Sequence, residues 1–282
     1  ADDQKYIDFV FFSSAVNFCF SHPRPYPPFP KYQIRTIAGK IISGAYSMAS
    51  CVTRLAECSP HSLVPALDKR IASVGQTKAF FNRRAICPIP LAKARYENIR
   101  IALGNLYTAF RGSVENVFEF AGYDAVRLVH ALVTYFPKVF GDDYYADHVT
   151  GKRIIFAKRA QLLALLYEGR AQSSNGRLRP LSSIEAIGPI VDYHLPRIPH
   201  QLGLLRYSPD LVGAITSSVI QKNSDHEIGL RVGALLVVDR LLDAINALRP
   251  SSKIHMGHLD YFLWSQAMTG GLPHHVTKTT AY

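Results

Sequence analysis

Apolar residues recur every three or four positions along much of the chain, which is the spacing of one face of an α-helix. The clearest stripes are Ile99, Leu103, Leu106 and Phe110, and then Ile228, Val232, Leu235, Val238, Leu242 and Ile245. Such stripes are typical of helices that pack into a core rather than of a cofactor site. The pattern therefore predicts a mainly α protein.

Shorter stretches predict the other elements. Helices are expected over residues 45–57, 114–120, 125–135, 157–166, 210–220 and 258–267, separated by segments rich in glycine, proline and serine. The apolar segments 32–37 and 40–42 flank Ala38-Gly39, which predicts a short β-hairpin. Residues 151–156 are the one other stretch with the character of a strand. Residues 22–30 are too rich in proline for a helix, and residues 171–180 predict a basic loop.

The composition is that of an ordinary globular protein. Of 282 residues, 48% are hydrophobic and 19% are charged, which predicts a single domain over residues 1–282. No apolar run reaches the roughly 18 to 20 residues that span a bilayer, so we expect neither a transmembrane helix nor a signal peptide. The four cysteines, Cys19, Cys51, Cys58 and Cys87, lack metal-type spacing and predict reduced thiols in a cytoplasmic protein.

The net charge of +11 favours an anionic partner, which could be RNA, a membrane surface or the phosphate of a small substrate. Lysine and arginine are dispersed, and the densest groups are Arg83-Arg84, Lys158-Arg159 and Arg177-Leu178-Arg179. Tight duplex binding usually needs a continuous stripe of cations, which is absent. This counts against tight duplex binding and is compatible with a single phosphate pocket, but the charge alone does not choose between the partners. Our expectation is a small-molecule partner, with no stable nucleic-acid complex and no membrane.

Several standard catalytic signatures are absent. The chain has no GxxxxGK[ST], no GxGxxG after a strand, no GxSxG and no HExxH, which counts against an NTPase, a dehydrogenase and a serine hydrolase. His255 and His258 have a spacing that superficially suits a metal, but no cysteine or glutamate completes the set. The pair His274-His275 is more often a surface pair than a ligand pair. We expect no metal site.

Asp192 stands inside the apolar and aromatic run from Ile190 to Pro196. Burying a carboxylate costs several kcal/mol unless it is hydrogen-bonded or paired. Asp192 is therefore either a helix cap or turn residue, which Pro189 and Pro196 on either side would favour, or part of a site that uses its charge.

Three other groups are candidates for binding. Asp260 precedes Tyr261 and Trp264, the only tryptophan, and a carboxylate beside aromatic rings suits a planar guanine-like base; the alternative is a helix cap beside core aromatics. Lys158 and Arg159 stand at the predicted start of a helix, where a phosphate could bind, or they lie on a solvated face. Glu227 and Arg231 stand four residues apart, which an ordinary intrahelical pair explains.

Taken in order, several segments resemble the queuosine 5′-phosphate N-glycosylases, also called queuosine salvage proteins. The resemblance runs nearly end to end and rests on Asn17–Phe20, Ser43–Ser47 with Arg54, Gly151–Arg153, Phe156–Gln161, Asp192–Pro196, Leu202-Gly203, Tyr207-Ser208, Glu227, Arg231 and Leu259–Trp264. It implies a helical fold similar to helix-hairpin-helix DNA glycosylases. It also implies release of queuine from queuosine 5′-phosphate, without a metal or organic cofactor.

The resemblance also implies site residues. Asp192 is similar to the catalytic aspartate of the family, and Asp260 and Tyr261 are similar to its base-recognising pair. Tyr193 and Trp264 adjoin these positions, and we expect them to bind the substrate too.

This chain departs from the family at several positions. Ile190 replaces a phenylalanine that would stack on the base, Ser265 replaces an acid that would help to bind it, and Ser14 replaces an aspartate. The chain also begins inside the family pattern, without an N-terminal helical portion that contributes a binding histidine.

Two alternatives follow. One is a catalytically silent homologue that binds a nucleobase. The other is a basic helical tRNA-binding protein, whose affinity would fall steeply with salt.

Overall fold

The computed structural model describes residues 3–24, 27–146, 149–267 and 273–282. Within these ranges the chain forms thirteen α-helices, five short strands and one 3-10 helix at Ile184–Ala186. The first seven helices are α1 (Asp3–Ala15), α2 (Ala45–Cys58), α3 (Leu63–Arg70), α4 (Val74–Asn82), α5 (Ala92–Ala109), α6 (Glu115–Phe120) and α7 (Ala125–Tyr135). The others are α8 (Pro137–Phe140), α9 (Lys158–Gln172), α10 (Arg197–Gln201), α11 (Pro209–Ser217), α12 (Asp225–Leu248) and α13 (Met256–Ala267). The prediction of a mainly α protein is confirmed.

The predicted helices are all present; α7 has the predicted ends, and the other helices end or begin at different residues. The largest shift is in α9, which was predicted to end at residue 166 and continues to Gln172, into the predicted basic loop. Helices α3 and α4 were not predicted because each is short. Their starts do carry a local signal, since Ser62 and Ser73 accept hydrogen bonds from the amides of Val64 and Gln76.

The strands form two small antiparallel sheets. In the first, β1 (Gln33–Arg35) pairs with β2 (Ile41–Ser43) and with β3 (Ala85–Cys87); in the second, β4 (Tyr144–Ala146) pairs with β5 (Arg153–Ile155). The predicted hairpin is therefore confirmed, as is a strand within residues 151–156. The expectation of only one further strand was wrong, because β3 and β4 are three residues each and too short to show alternation.

The larger hydrophobic core surrounds α1. This helix packs against α2, α3, α5 and α9, and the ring of Phe11 meets Phe136 and Phe140 edge-on, with centroids 5.2 Å and 5.5 Å away. Full burial of one such ring stabilises the fold by roughly 1.5 to 3 kcal/mol. The apolar start of the chain is thus a central core helix. The likeness to helix-hairpin-helix DNA glycosylases stays a prediction.

A second, smaller core lies under the segment that contains Asp192. There Val191 and Leu195 pack with Val238 of α12 and with Leu259 and Leu263 of α13. The short helix α10 contacts both α12 and α13. The Asp192 segment is therefore held in place by packing against α12 and α13.

Among the residues that the structure describes, no helix combines the length and the apolar character that crossing a bilayer requires.

Candidate active site

Asp192 closes a tight turn between Pro189 and Pro196. Its Oδ1 accepts hydrogen bonds from the amides of His194 at 2.7 Å and Leu195 at 3.2 Å, and the side chain is only 7% exposed. The role of turn residue is therefore confirmed for one oxygen. In the described part of the chain both side-chain hydrogen bonds of Asp192 go to Oδ1, so Oδ2 keeps its capacity to face a ligand.

Asp260 comes to the same place from α13. It is the fifth residue of that helix, and its Oδ1 accepts a hydrogen bond from the amide of Ile190 at 2.7 Å, so it ties the helix to the Asp192 segment rather than capping it. Burial raises the pKa of Asp260 to about 7, and the nearby charge of Asp192 acts in the same direction. Two buried carboxylates are therefore neighbours, and one of them titrates near neutral pH.

The ammonium of Lys158 lies within the field of both carboxylates. Its Nζ donates to Oδ1 of Asn17 at 2.8 Å and to the Asn17 carbonyl at 3.3 Å, and burial lowers the pKa of Lys158 to about 8, opposed by the charge of Asp192. The backbone amide of Lys158 donates to Oδ2 of Asp143 at 2.9 Å. A carboxylate of the protein itself thus occupies the start of α9, where the sequence suggested a phosphate.

Arg159 points away from that start and into the protein. Its guanidinium donates to the Ala15 carbonyl at 2.7 Å, forms an ion pair with Asp142, and lies 5.3 Å from the ring centre of Phe18. That Arg159 binds a phosphate stays a prediction. Its contacts favour a structural role that fixes α9 to the end of α1.

Aromatic and apolar groups border the carboxylates. Ile190 is buried, and the half-buried ring of Tyr193 lies 4.4 Å from the ring centre of His194 and 4.5 Å from that of His274. Burial lowers the pKa of His194 to about 2 and that of His274 to about 4, so both imidazoles are neutral at pH 7. The expectation that His274-His275 is a surface pair was wrong, since burial also lowers the pKa of His275, to about 3.

Helix α13 divides the remaining predicted residues between two faces. Trp264 follows Asp260 by four residues, on the same face, and its ring lies 6.2 Å from that of Tyr46. Tyr261 is 71% exposed, and Ser265, four residues later, donates to the Phe262 carbonyl at 2.7 Å. The structure therefore brings Trp264 to the face of Asp260 and leaves Tyr261 and Ser265 on a neighbouring, more exposed face.

A family model described as queuosine salvage protein matches residues 1–282. This chain belongs to that family. Three relatives, each named queuosine 5′-phosphate N-glycosylase/hydrolase, are similar along nearly the whole chain. The protein from Sphaerobacter thermophilus is 27% identical over 98% of this chain and 81% of its own length; that from Mus musculus is 28% identical over 99% and 83%. The protein from Bos taurus is 27% identical over 99% of this chain and 82% of its own length.

The order of the sequence segments had indicated a queuosine salvage protein, and this family assignment is confirmed. Of the predicted site residues, Asp192, Asp260, Ile190 and Lys158 come together through contacts or through direct electrostatic influence. Tyr193 lies beside them in the chain and Trp264 shares the face of Asp260. Three elements contribute these residues to the candidate site: the 190–196 turn, α9 and α13.

Sequence reasoning missed the carboxylate that supports this site. Asp143 accepts from Arg231 at 2.7 Å and 2.9 Å, and Arg231 also donates to the Val191 carbonyl, next to Asp192. Glu227 joins them at 3.4 Å. The simple intrahelical explanation of Glu227 and Arg231 is therefore incomplete, because the pair binds two distant segments. The sequence around Asp143 contains no local pattern that indicates Arg231 as its partner.

Lys31 was missed as well. Its ammonium lies in the field of Asp192, although it stands in the proline-rich part of the chain, far away in sequence. At the other candidate, His255 and His258 have ring centres 3.7 Å apart, and no group of three or more potential metal ligands occurs among the described residues.

Proposed function

We propose that this chain hydrolyses the N-glycosidic bond of queuosine 5′-phosphate and releases queuine and ribose 5-phosphate. The observation that carries the proposal is the buried carboxylate of Asp192, held through Oδ1 by two backbone amides beside Asp260 and Lys158. The names of the full-length relatives support the substrate. A fixed, partly desolvated carboxylate is suited to a positively charged transition state.

In the proposed reaction, the bond between the anomeric carbon and the base nitrogen breaks, and its electron pair leaves with the base. The sugar becomes oxocarbenium-like. The carboxylate of Asp192 either stabilises this positive charge or attacks the anomeric carbon directly. Water supplies the new hydroxyl at the anomeric carbon, and its proton neutralises the departing base. The two amides on Oδ1 keep the carboxylate oriented, so its position need not be reorganised during the reaction.

Stabilisation of the base falls to Asp260 in this proposal. A 7-deazaguanine has carbon where purines are most readily protonated, so help has to come from its pyrimidine edge. An ionised Asp260 accepts hydrogen bonds from the N–H groups of that edge, while Ile190, Tyr193 and Trp264 provide apolar and aromatic surface. Lys158 balances the charge of the two carboxylates. The predicted contacts of Tyr261 and Ser265 with the base would come from the more exposed face of α13.

The experiment is mass-spectrometric detection of free base. The protein is incubated separately with queuosine 5′-phosphate, queuosine and the common purine nucleotides. Queuine is expected from queuosine 5′-phosphate at the highest rate. Absence of free base from every substrate, or faster release of guanine from GMP, would contradict the proposal.

The departures at Ile190 and Ser265 favour one competing function, a homologue that binds the base without turnover. It predicts measurable queuine affinity by calorimetry together with no base release. A tRNA-binding function instead predicts affinity for tRNA that falls steeply between low and physiological salt. We propose no stable nucleic-acid partner and a cytoplasmic location.

A further inference from the structure

Lys31 is placed beside the Asp192 turn by the backbone of its own segment. It forms an isolated antiparallel bridge with Ser21, and the next residue, Tyr32, donates its amide to the Phe20 carbonyl at 2.8 Å. The hydroxyl of Ser21 lies 3.5 Å from Nε2 of His274, whose ring packs on Tyr193, the residue after Asp192. The proline-rich segment thus ends against the site.

The stem of Lys31 passes closely over Gly44. A Cβ at Gly44 would lie 2.9 Å from Cε and 3.6 Å from Nζ of Lys31. Gly44 also has φ +60°, a conformation that a glycine adopts without the strain of a side chain. Glycine at this position therefore lets the lysine stem lie where it does.

Within the described part of the chain, the ammonium of Lys31 interacts with Asp192 only through its charge and has no direct partner. Among the described residues its side chain makes no hydrogen bond and no ion pair within 4.0 Å, and α2, which begins directly after Gly44, has no acidic residue in its first turn. Burial lowers the pKa of Lys31, while the charge of Asp192 raises it and that of Arg197 lowers it further. A half-buried cation without a partner retains all three of its donors for a ligand.

Three other candidate cations already donate to groups of the protein. Lys158 donates to Asn17, Arg159 to Asp142 and Ala15, and Arg197 to the Ala267 carbonyl at 2.6 Å. Resting on the proposed function, the geometry points to Lys31 as the residue that binds the 5′-phosphate of the substrate and makes the nucleotide a better substrate than the nucleoside. The phosphate would add the anion that this lysine lacks.

The test compares Lys31→Met with wild type on queuosine 5′-phosphate and on queuosine. Methionine keeps an unbranched stem over Gly44 and removes the charge. Since a hydrogen bond to a charged group contributes about 1.5 to 3 kcal/mol, the ratio of kcat/KM for nucleotide over nucleoside should fall by about 10-fold to 100-fold. Lys31→Arg should retain most of the preference. Lys78→Ala, at an exposed position on α4, controls for net charge and should leave the ratio unchanged.

Two outcomes would overturn the inference. An unchanged ratio in Lys31→Met would remove Lys31 from phosphate binding. An equal loss on nucleotide and nucleoside, with an unchanged melting temperature, would mean that Lys31 acts on the part that the two substrates share and not on the phosphate.

A failure of the proposed function can be distinguished from a failure of the inference about Lys31. If wild type releases no base, calorimetry with queuosine 5′-phosphate and queuosine decides the role of Lys31 alone. Tighter nucleotide binding that Lys31→Met abolishes supports it, and equal affinity of wild type for the two compounds overturns it.

Discussion

Two clusters of buried charge contact the segment around Val191, and they are built differently. In the supporting cluster, Arg231 bridges both oxygens of Asp143, at 2.7 Å and 2.9 Å, and also reaches Glu227. In the candidate active site, the hydrogen bonds that Asp192 and Asp260 accept from described residues come from backbone amides, and Lys158 donates to the neutral side chain of Asn17. The supporting cluster therefore contains ion pairs, whereas Asp192, Asp260 and Lys158 of the candidate active site form none with the described residues.

The pKa directions reflect this difference. Burial lowers the pKa of Arg231, but Asp143 and Glu227 outweigh it, so the pKa is raised and the charged form is stabilised. Burial raises the pKa of Asp260 to about 7 and lowers that of Lys158 to about 8. In both groups burial therefore favours the uncharged form. Unpaired buried charges of this kind are typical of sites that bind or transform a ligand. The contrast separates a network of ion pairs from the candidate active site.

The largest expected effect is on turnover. Asp192→Asn preserves the amide-accepting oxygen of the turn and removes the charge, so we expect kcat for base release to fall by about 10⁴-fold while the thermal midpoint barely moves. The measurement is single-turnover base release with queuosine 5′-phosphate, alongside a circular dichroism melt. Asp239→Asn, at an exposed position of α12, is the matched control. A near wild-type rate in Asp192→Asn would make Asp192 purely structural.

The next effect belongs to the supporting cluster. Arg231→Met leaves the carboxylates of Asp143 and Glu227 buried without their cation, which should lower the free energy of unfolding by about 3 to 5 kcal/mol. Urea denaturation measures the change. Arg240→Met, at an exposed position on the same helix, should change it by less than about 0.5 kcal/mol. Unchanged stability in Arg231→Met would mean that the ion pairs of the supporting cluster do not stabilise the fold, and the difference drawn between the two clusters would be wrong.

The sequence indicated the residues of the candidate active site better than those of the supporting cluster. Asp192 stood out because a carboxylate in an apolar run is unusual, and the helices followed from their periodicity. Asp143 gave no such signal, since its partner Arg231 lies 88 residues away and the pairing exists only in the folded chain. Lys31 was hidden for the same reason: its proximity to Asp192 depends on the Ser21 bridge and on Gly44.

A smaller effect should appear in affinity for the free base. Asp260→Ala removes the proposed acceptor for the pyrimidine edge, and stranding those N–H donors should weaken queuine binding by about 1 to 3 kcal/mol. Calorimetry with queuine compares the variant with wild type and with Asp243→Ala, an exposed control on α12. Equal queuine affinity in all three proteins would confine Asp260 to its bond with Ile190.

The last prediction concerns pH, because Asp260 of the candidate active site has a pKa near neutrality. With a pKa of about 7, Asp260 is mostly protonated at pH 6 and is a weaker, uncharged acceptor, whereas at pH 8 it is ionised and accepts the N–H groups of the base most strongly. Queuine affinity should therefore rise with pH up to about 7, falling about tenfold for each unit well below it. Asp260→Asn cannot titrate, so its affinity should be lower and flat over the same range, while Arg240→Met should retain the wild-type slope. Calorimetry from pH 5.5 to 8 measures both curves. A wild-type affinity that increases towards acid would instead mean that Asp260 acts in its protonated form, as a donor to the base.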